Sequence, residues 1–364
     1  MNDLQERLQK AADELVGNGA ERGLQIAVYR NGEQAVDVVA GVADADTGRP
    51  VTPDTPFHVF SAGKGMAAAL VHVLAERGML DYGTPIADIW PEFGAHGKES
   101  ATIRDALTHA TGVPGLPEDL TPEDLCDRDR MCAVIADARP WWEPGTGTGY
   151  HSYTFGPIIG EIVRRVTGAP VSQVFREEVA APIGMADELF LGVPQSELGR
   201  LARLEEVPGQ ADAPDGSPSL AVAPRGVRPT AAFGNRADVL TTAFPAAGQF
   251  TARAAARMYA ALLGPVDGVR LISAERLRAV TRPVVDDVDR VFGNRAVLSN
   301  GYALGRLGAD PDDTPTVFGW PGSGGSCAFA DTATGVAFAV AKNRLAANFT
   351  TAQTLATIVA ESGI

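Results

Sequence analysis

Strand-patterned segments stand at the two ends of this 364-residue chain, with a long helical pattern between them. Near the start, residues 24–30 and 35–41 read as strands flanking Asn31-Gly32. That dipeptide favours a two-residue hairpin because both positions accept positive φ. Near the end, residues 326–330 and 336–342 read as a second strand pair, joined through Asp331 to Gly335. Residues 85 to 270 read as helices linked by Pro- and Gly-rich loops. Thr121-Pro122-Glu123-Asp124 carries a cap, a first-turn proline and first-turn acids. Helices are expected at 158–166, 252–263, 273–280 and 350–360, and a long loop at 205–229. An opening hairpin excludes a βαβ start. The length exceeds what one core supports. The expectation is an α/β (α+β) fold with one mainly antiparallel sheet built from both chain ends and flanked by helices. Residues 1–84 and 271–364 would form the sheet lobe, and 85–270 a mostly helical lobe inserted between.

Charge narrows the partners. Lys and Arg number 31 against 45 Asp and Glu, a formal charge of −14. The basic residues do not cluster, so no nucleic-acid partner is expected. No run approaches the roughly 18 apolar residues of a membrane span, and none is expected. The first residues, Met1-Asn2-Asp3-Leu4, lack a basic and then apolar leader, which predicts a cytoplasmic protein. Cys126, Cys132 and Cys327 form no CxxC pair, so neither a zinc site nor a disulfide framework is expected. The sequence predicts no cofactor and leaves the oligomeric state open.

Several catalytic signatures are absent. No serine lies in G-x-S-x-G, Gly63-Lys64 is not a P-loop, and the histidines lack HExxH spacing. Lysine is rare here: Lys10, Lys64, Lys98 and Lys342 are the four. One of them stands in Ser61-Ala62-Gly63-Lys64, where a loop enters an apolar helix expected over 64–78. Three residues is close to one turn, so both side chains share a face. Burial among Met66, Ala67, Ala68 and Ala69 would lower the pKa of the ammonium, as a base requires. The same tetrapeptide also fits a helix-capping serine followed by a lysine that snorkels to solvent. Two other segments stand out. One is the glycine-rich turn ending in Tyr150-His151-Ser152, expected on an exposed loop tip. The other is Trp320-Pro321-Gly322-Ser323, before the 326–330 strand.

In that order, S-x-x-K, Y-x-S and W-x-G resemble the serine β-lactamase-like proteins. These include class C β-lactamases, penicillin-binding D-peptidases and family VIII carboxylesterases. The stretch 104–114 and Pro245-Ala246-Ala247-Gly248 are similar to further recurring segments of that family. The resemblance spans residues 10 to 360 and implies a β-lactamase/transpeptidase-like fold. It implies that Ser61 is acylated and that Lys64 and Tyr150 move its proton. The oxyanion hole would be the backbone N–H groups of Ser61 and Ser323. A phenol of pKa near ~10 would need the neighbouring cation to ionise.

Two departures bear on substrate. The family's Lys-Thr-Gly cation is replaced by Trp320, and its Tyr-x-Asn asparagine by Ser152. Both weaken the case for a β-lactam carrying a carboxylate. Ser152, Trp320 and Gly322, with Phe155 and Phe250, are the expected substrate contacts, favouring a small apolar ester. The expected activity is therefore a serine carboxylesterase taking a small-molecule ester or acyl donor. The alternatives are an acyltransferase of small-molecule biosynthesis, a β-lactamase or D-peptidase, and a non-catalytic binding protein on the same scaffold.

Overall fold

The computed structural model describes residues 2–207, 214–305 and 315–363. Nine strands make the main sheet: β1 (Gly23–Arg30), β2 (Glu33–Asp44), β3 (Arg49–Pro50), β4 (Val285–Val288), β5 (Arg295–Leu298), β6 (Ala303–Leu304), β7 (Val317–Pro321), β8 (Cys327–Asp331) and β9 (Val336–Lys342). Their order across the sheet is β3-β2-β1-β9-β8-β7-β6-β5-β4, and the neighbours are antiparallel. The two ends of the chain meet at β1 and β9, where Leu24 faces Lys342 and Arg30 faces Val336. Asn31 (φ 51°) and Gly32 (φ 87°) make the β1–β2 turn, as the dipeptide predicts.

Five helices place the site: α1 (Asn2–Gly17), α2 (Gly63–Glu76), α3 (Phe155–Thr167), α4 (Ala252–Leu263) and α5 (Thr350–Glu361). Leu4, Leu8 and Ala12 of α1 and Leu355 and Val359 of α5 pack with Ile26, Val28, Val38 and Val340 on one sheet face. Each leucine, isoleucine or valine among them contributes about 1.5–3 kcal/mol by leaving water. The other face carries the main core, into which α2 buries every residue from Gly63 to Ala75. Small residues let α2 lie this deep: Ala67, Ala68 and Ala69 are all fully buried.

Several expectations shift. Helix α4 falls inside the stretch assigned to the helical lobe, yet it packs on β1, β8 and β9. Its first N–H is held by the side chain of Gln25 at 2.9 Å. Strand β4 carries no sequence signal: Val285-Asp286-Asp287-Val288 does not alternate, and three of its four residues are exposed at the sheet edge. The loop expected at 205–229 contains a two-residue strand (Glu205–Glu206), a short helix (Pro218–Val222) and a 3-10 turn (Arg225–Val227). Residues 208–213 of it lie outside the described residues. Among the described residues, no helix is long and apolar enough to cross a membrane.

Candidate active site

Ser61 sits in a 3-10 turn (Phe60–Ala62) that runs straight into α2. The residue before it, Phe60, is buried with φ 45°, a conformation that costs a non-glycine residue about 1–3 kcal/mol. No side chain caps α2. The capping alternative for Ser61 is therefore not realised, and its hydroxyl is turned to other partners. Lys64 follows one turn later, and its Nζ donates to Ser61 Oγ at 3.1 Å. Tyr150 donates to the same oxygen at 2.7 Å. Lys64 also donates to the main-chain carbonyls of Ser152 (2.7 Å) and Ala246 (3.3 Å). It is fully buried, with Nζ 4.8 Å from the centre of the Tyr150 ring and 5.8 Å from that of Phe155.

Burial decides the protonation states. It pushes the Lys64 ammonium well below its ordinary pKa, and no carboxylate among the described residues pairs with it. Burial also raises the Tyr150 phenol; the Ser61 hydrogen bond lowers it in part, and Asp289 raises it further. The same burial works against the ionised phenol expected from the sequence. Burial thus favours the neutral form of both the amine and the phenol beside Ser61.

Tyr150 is not on an exposed tip. Its neighbours His151 and Tyr153 are buried, and its own N–H is held by Asp289 Oδ2 at 2.9 Å. The other oxygen of Asp289 accepts the N–H groups of Val291 and Phe292, both at 2.8 Å. One buried carboxylate thus joins the Tyr150 segment to the turn after β4. The Tyr150 ring packs with His109 (5.0 Å), Trp320 (5.9 Å) and Phe292 (6.2 Å). His151 accepts the N–H of Val113 on Nε2, so its Nδ1 carries the proton donated to Gly149 O at 2.6 Å. His109 in turn accepts the His151 N–H on Nδ1.

The third motif closes the site from the sheet. A Cβ on Gly322 would lie 2.0 Å from Val59 O and 3.1 Å from Ala62 N. Only glycine lets the end of β7 come this close to the turn carrying Ser61. Ser323 follows, exposed, and no backbone acceptor among the described residues takes its N–H or that of Ser61. Trp320 stands beside Tyr150, 5% exposed, with its indole N–H given to Gly301 O. It forms a floor under the site and offers little open face.

The remaining expected contacts divide. Ser152 contributes its carbonyl to Lys64. Phe155, 1% exposed, walls the Lys64 amine. Phe250 is fully buried and pairs with Phe57 and Leu189 in a separate three-stranded sheet, so it offers a substrate no surface. Sequence reasoning missed Asp289, Phe292 and the two histidines. The one available signal was local: an aspartate whose side chain can accept from the N–H groups two and three residues on. Its link to Tyr150 spans 139 positions and leaves no pattern.

The beta-lactamase family model matches residues 8–361. The esterase/beta-lactamase LipL of Mycobacterium tuberculosis is 37% identical over 340 residues, 89% of this chain and 77% of that protein. A crystal structure of a family VIII carboxylesterase superposes with a TM-score of 0.89 at 35% identity, over 98% of this chain and 97% of the other. A penicillin-binding protein homolog from Caulobacter crescentus gives 0.87 at 31% identity, over 99% and 98%.

Proposed function

This chain belongs to the beta-lactamase family, and we propose that it is a serine carboxylesterase that cleaves small uncharged esters through an acyl-Ser61 intermediate. One observation carries the reading. Ser61 Oγ stands 3.1 Å from the buried Lys64 amine and accepts the Tyr150 O–H at 2.7 Å. In this reading the neutral Lys64 amine takes the Ser61 proton as Oγ attacks the ester carbonyl carbon. The N–H groups of Ser61 and Ser323 hold the oxyanion. Tyr150 gives its proton to the departing alkoxide, and the proton on Lys64 restores the phenol. Water then attacks the acyl carbon, its proton passes back through the same pair, and Ser61 leaves as the hydroxyl.

Trp320 supports the choice of an uncharged ester. It stands where a cation would meet a β-lactam carboxylate. A carboxylate desolvated there without a cation would cost more than the ~2–7 kcal/mol of an unpaired neutral polar group. The relatives named as an esterase/beta-lactamase and a family VIII carboxylesterase support ester hydrolysis. A cytoplasmic location belongs to the proposal, supported by three free thiols of the kind a reducing compartment maintains.

Intact-mass measurement after mixing with p-nitrophenyl butyrate tests the reading. A butyryl adduct is expected on Ser61 and on no other serine, lost in Ser61→Ala together with turnover. Added alcohols or amines should leave the product acid dominant; a dominant transfer product would favour the acyltransferase instead. A higher kcat/KM for a chromogenic cephalosporin than for the butyrate ester would replace the esterase reading with the β-lactamase one.

A further inference from the structure

The turn from Gly322 to Ser326 joins β7 to β8 and carries Ser323. Gly324 (φ 91°) and Gly325 (φ 100°) occupy conformations that other residues avoid. Such a turn is intrinsically loose and must be held from outside. Three backbone bonds contribute: Gly322 N–H to Ser326 O (2.8 Å), Gly325 N–H to Gly322 O (3.0 Å) and Ala346 N–H to Gly324 O (3.3 Å).

Lys342 supplies the rest. It is the last residue of β9 and only 2% exposed. Its Nζ donates to Gly324 O at 2.9 Å and to Arg344 O, while its backbone N–H donates to Ser326 Oγ at 3.1 Å. One residue therefore grips the turn on both sides of its two glycines. Glu21, equally buried, lies 3.0 Å from Nζ and accepts from Thr351 Oγ1 at 2.6 Å. Glu21 follows α1 and Thr351 opens α5, so the ammonium is anchored to elements at both ends of the chain. A buried ion pair adds little net stability over an apolar pair of the same size. Its placement against a carbonyl next to the oxyanion amide calls for a local explanation.

We propose that Lys342, neutralised by Glu21, is a positioning residue that fixes the turn so that the Ser323 N–H points at the developing oxyanion. The inference rests on Ser323 being an oxyanion donor. Without the Gly324 anchor the turn samples other conformations, and transition-state stabilisation falls while ester binding is kept. The partners have unequal roles: Lys342 holds the carbonyl, and Glu21 makes the lysine tolerable there.

The experiment compares Lys342→Met, Glu21→Gln and the double variant for kcat, KM, inhibition by phenylboronic acid and melting temperature. Lys342→Met is expected to lower kcat about 10- to 100-fold with KM within about threefold, and to weaken boronate inhibition in parallel. Glu21→Gln keeps the amine against Gly324 O and should lose stability but less than about threefold in kcat. The double variant removes the stranded buried charge, so it should regain stability while kcat stays low. A folded double variant with wild-type kcat would overturn the inference. So would kcat that simply follows melting temperature through all three. If Lys342→Met alone fails to fold, the double variant and Glu21→Gln still decide. Ser61→Ala, run beside them, separates the cases: residual acylation there would break the parent reading whatever Lys342 does.

Discussion

Ser61 is flanked by two regions built on different principles. The proton side, made by Lys64, Tyr150, Ser152 and Phe155, is fixed by packed side chains. Lys64 is fully buried, its amine meets two carbonyls and a hydroxyl, and Tyr150 is wedged among His109, Trp320 and Phe292. The oxyanion side, from Gly322 to Ser326, is backbone: an exposed serine amide on a glycine turn, held by main-chain bonds and Lys342. The difference follows from what each side must do. Lowering the Lys64 pKa by desolvation needs side chains packed around the amine. Presenting an N–H to a transient anion needs a bare backbone that a ligand can approach.

The contrast can be broken most strongly on the proton side. Lys64→Met and Tyr150→Phe should each lower kcat by about 10²–10⁴-fold. The double variant should lose little more, because the pair works as a unit. Steady-state kinetics showing additive losses would separate the two roles. The acid limb of the kcat profile should belong to Lys64: activity falls once pH drops below its depressed pKa, and the limb disappears in Lys64→Met.

On the oxyanion side a single methyl group is enough. Gly322→Ala places a carbon against Val59 O and should cost about 10²-fold in kcat as the turn is pushed off Ser61. The far-ultraviolet dichroism should be unchanged. A variant as active as the parent would show that the close approach of β7 is not needed.

Acid should loosen the proton side first. Burial pushes His151 down to about 4 and His109 well below its ordinary value, whereas an unfolded histidine titrates near 6.5. Between about pH 6.5 and 4 the unfolded chain therefore binds more protons, and stability falls as pH falls. His58 (about 4) and His72 (about 3) add to the effect. Melting temperature measured from pH 7 to 4 should drop steadily. Hydrogen exchange at pH 5 should rise at the Tyr150 amide before it rises at the hydrogen-bonded amides of Gly325 and Ala346; the reverse order would contradict the contrast.

The smallest effect is expected at the rim. Phe292 is 46% exposed yet packs on the Tyr150 ring. Phe292→Ala should raise KM for an aryl ester about three- to tenfold and leave kcat and the KM of a methyl ester nearly unchanged. Equal changes for both esters would mean that the ring steadies Tyr150 and does not touch substrate.

What could be read in advance follows range of interaction. Ser61 and Lys64 are one helical turn apart, so their pairing is local and visible in the residues alone. Tyr150, Ser152 and Ser323 stand out only through the ordered motifs of a family. The hairpin at Asn31-Gly32, helix α4 and strand β9 follow from turn chemistry and periodicity. An amphipathic helix does not announce which partner its apolar face will meet, and α4, inside the stretch read as the helical lobe, meets the sheet. Phe250 and Trp320 were legible as aromatic but not as buried. The Asp289 clasp on Tyr150 joins segments whose spacing carries no periodicity. The burial that depresses the Lys64 pKa depends on neighbours such as Tyr150 and Phe155, which only the fold brings together.

The pairing of β1 with β9 also sets a timetable. Leu24 and Lys342 are about 300 positions apart in sequence, so at about 5–20 residues per second a ribosome needs roughly 15–60 s to deliver the second after the first. During that interval β1, buried from Gly23 to Tyr29 in the finished sheet, has only β2 beside it. Such long-range pairing also slows folding, since a large loop must close before it is rewarded. The nascent chain thus holds Ser61 and Lys64 early but gains the Gly324 anchor only when residue 342 has emerged. Synthesis keeps the nucleophile without its oxyanion support until the sheet is closed.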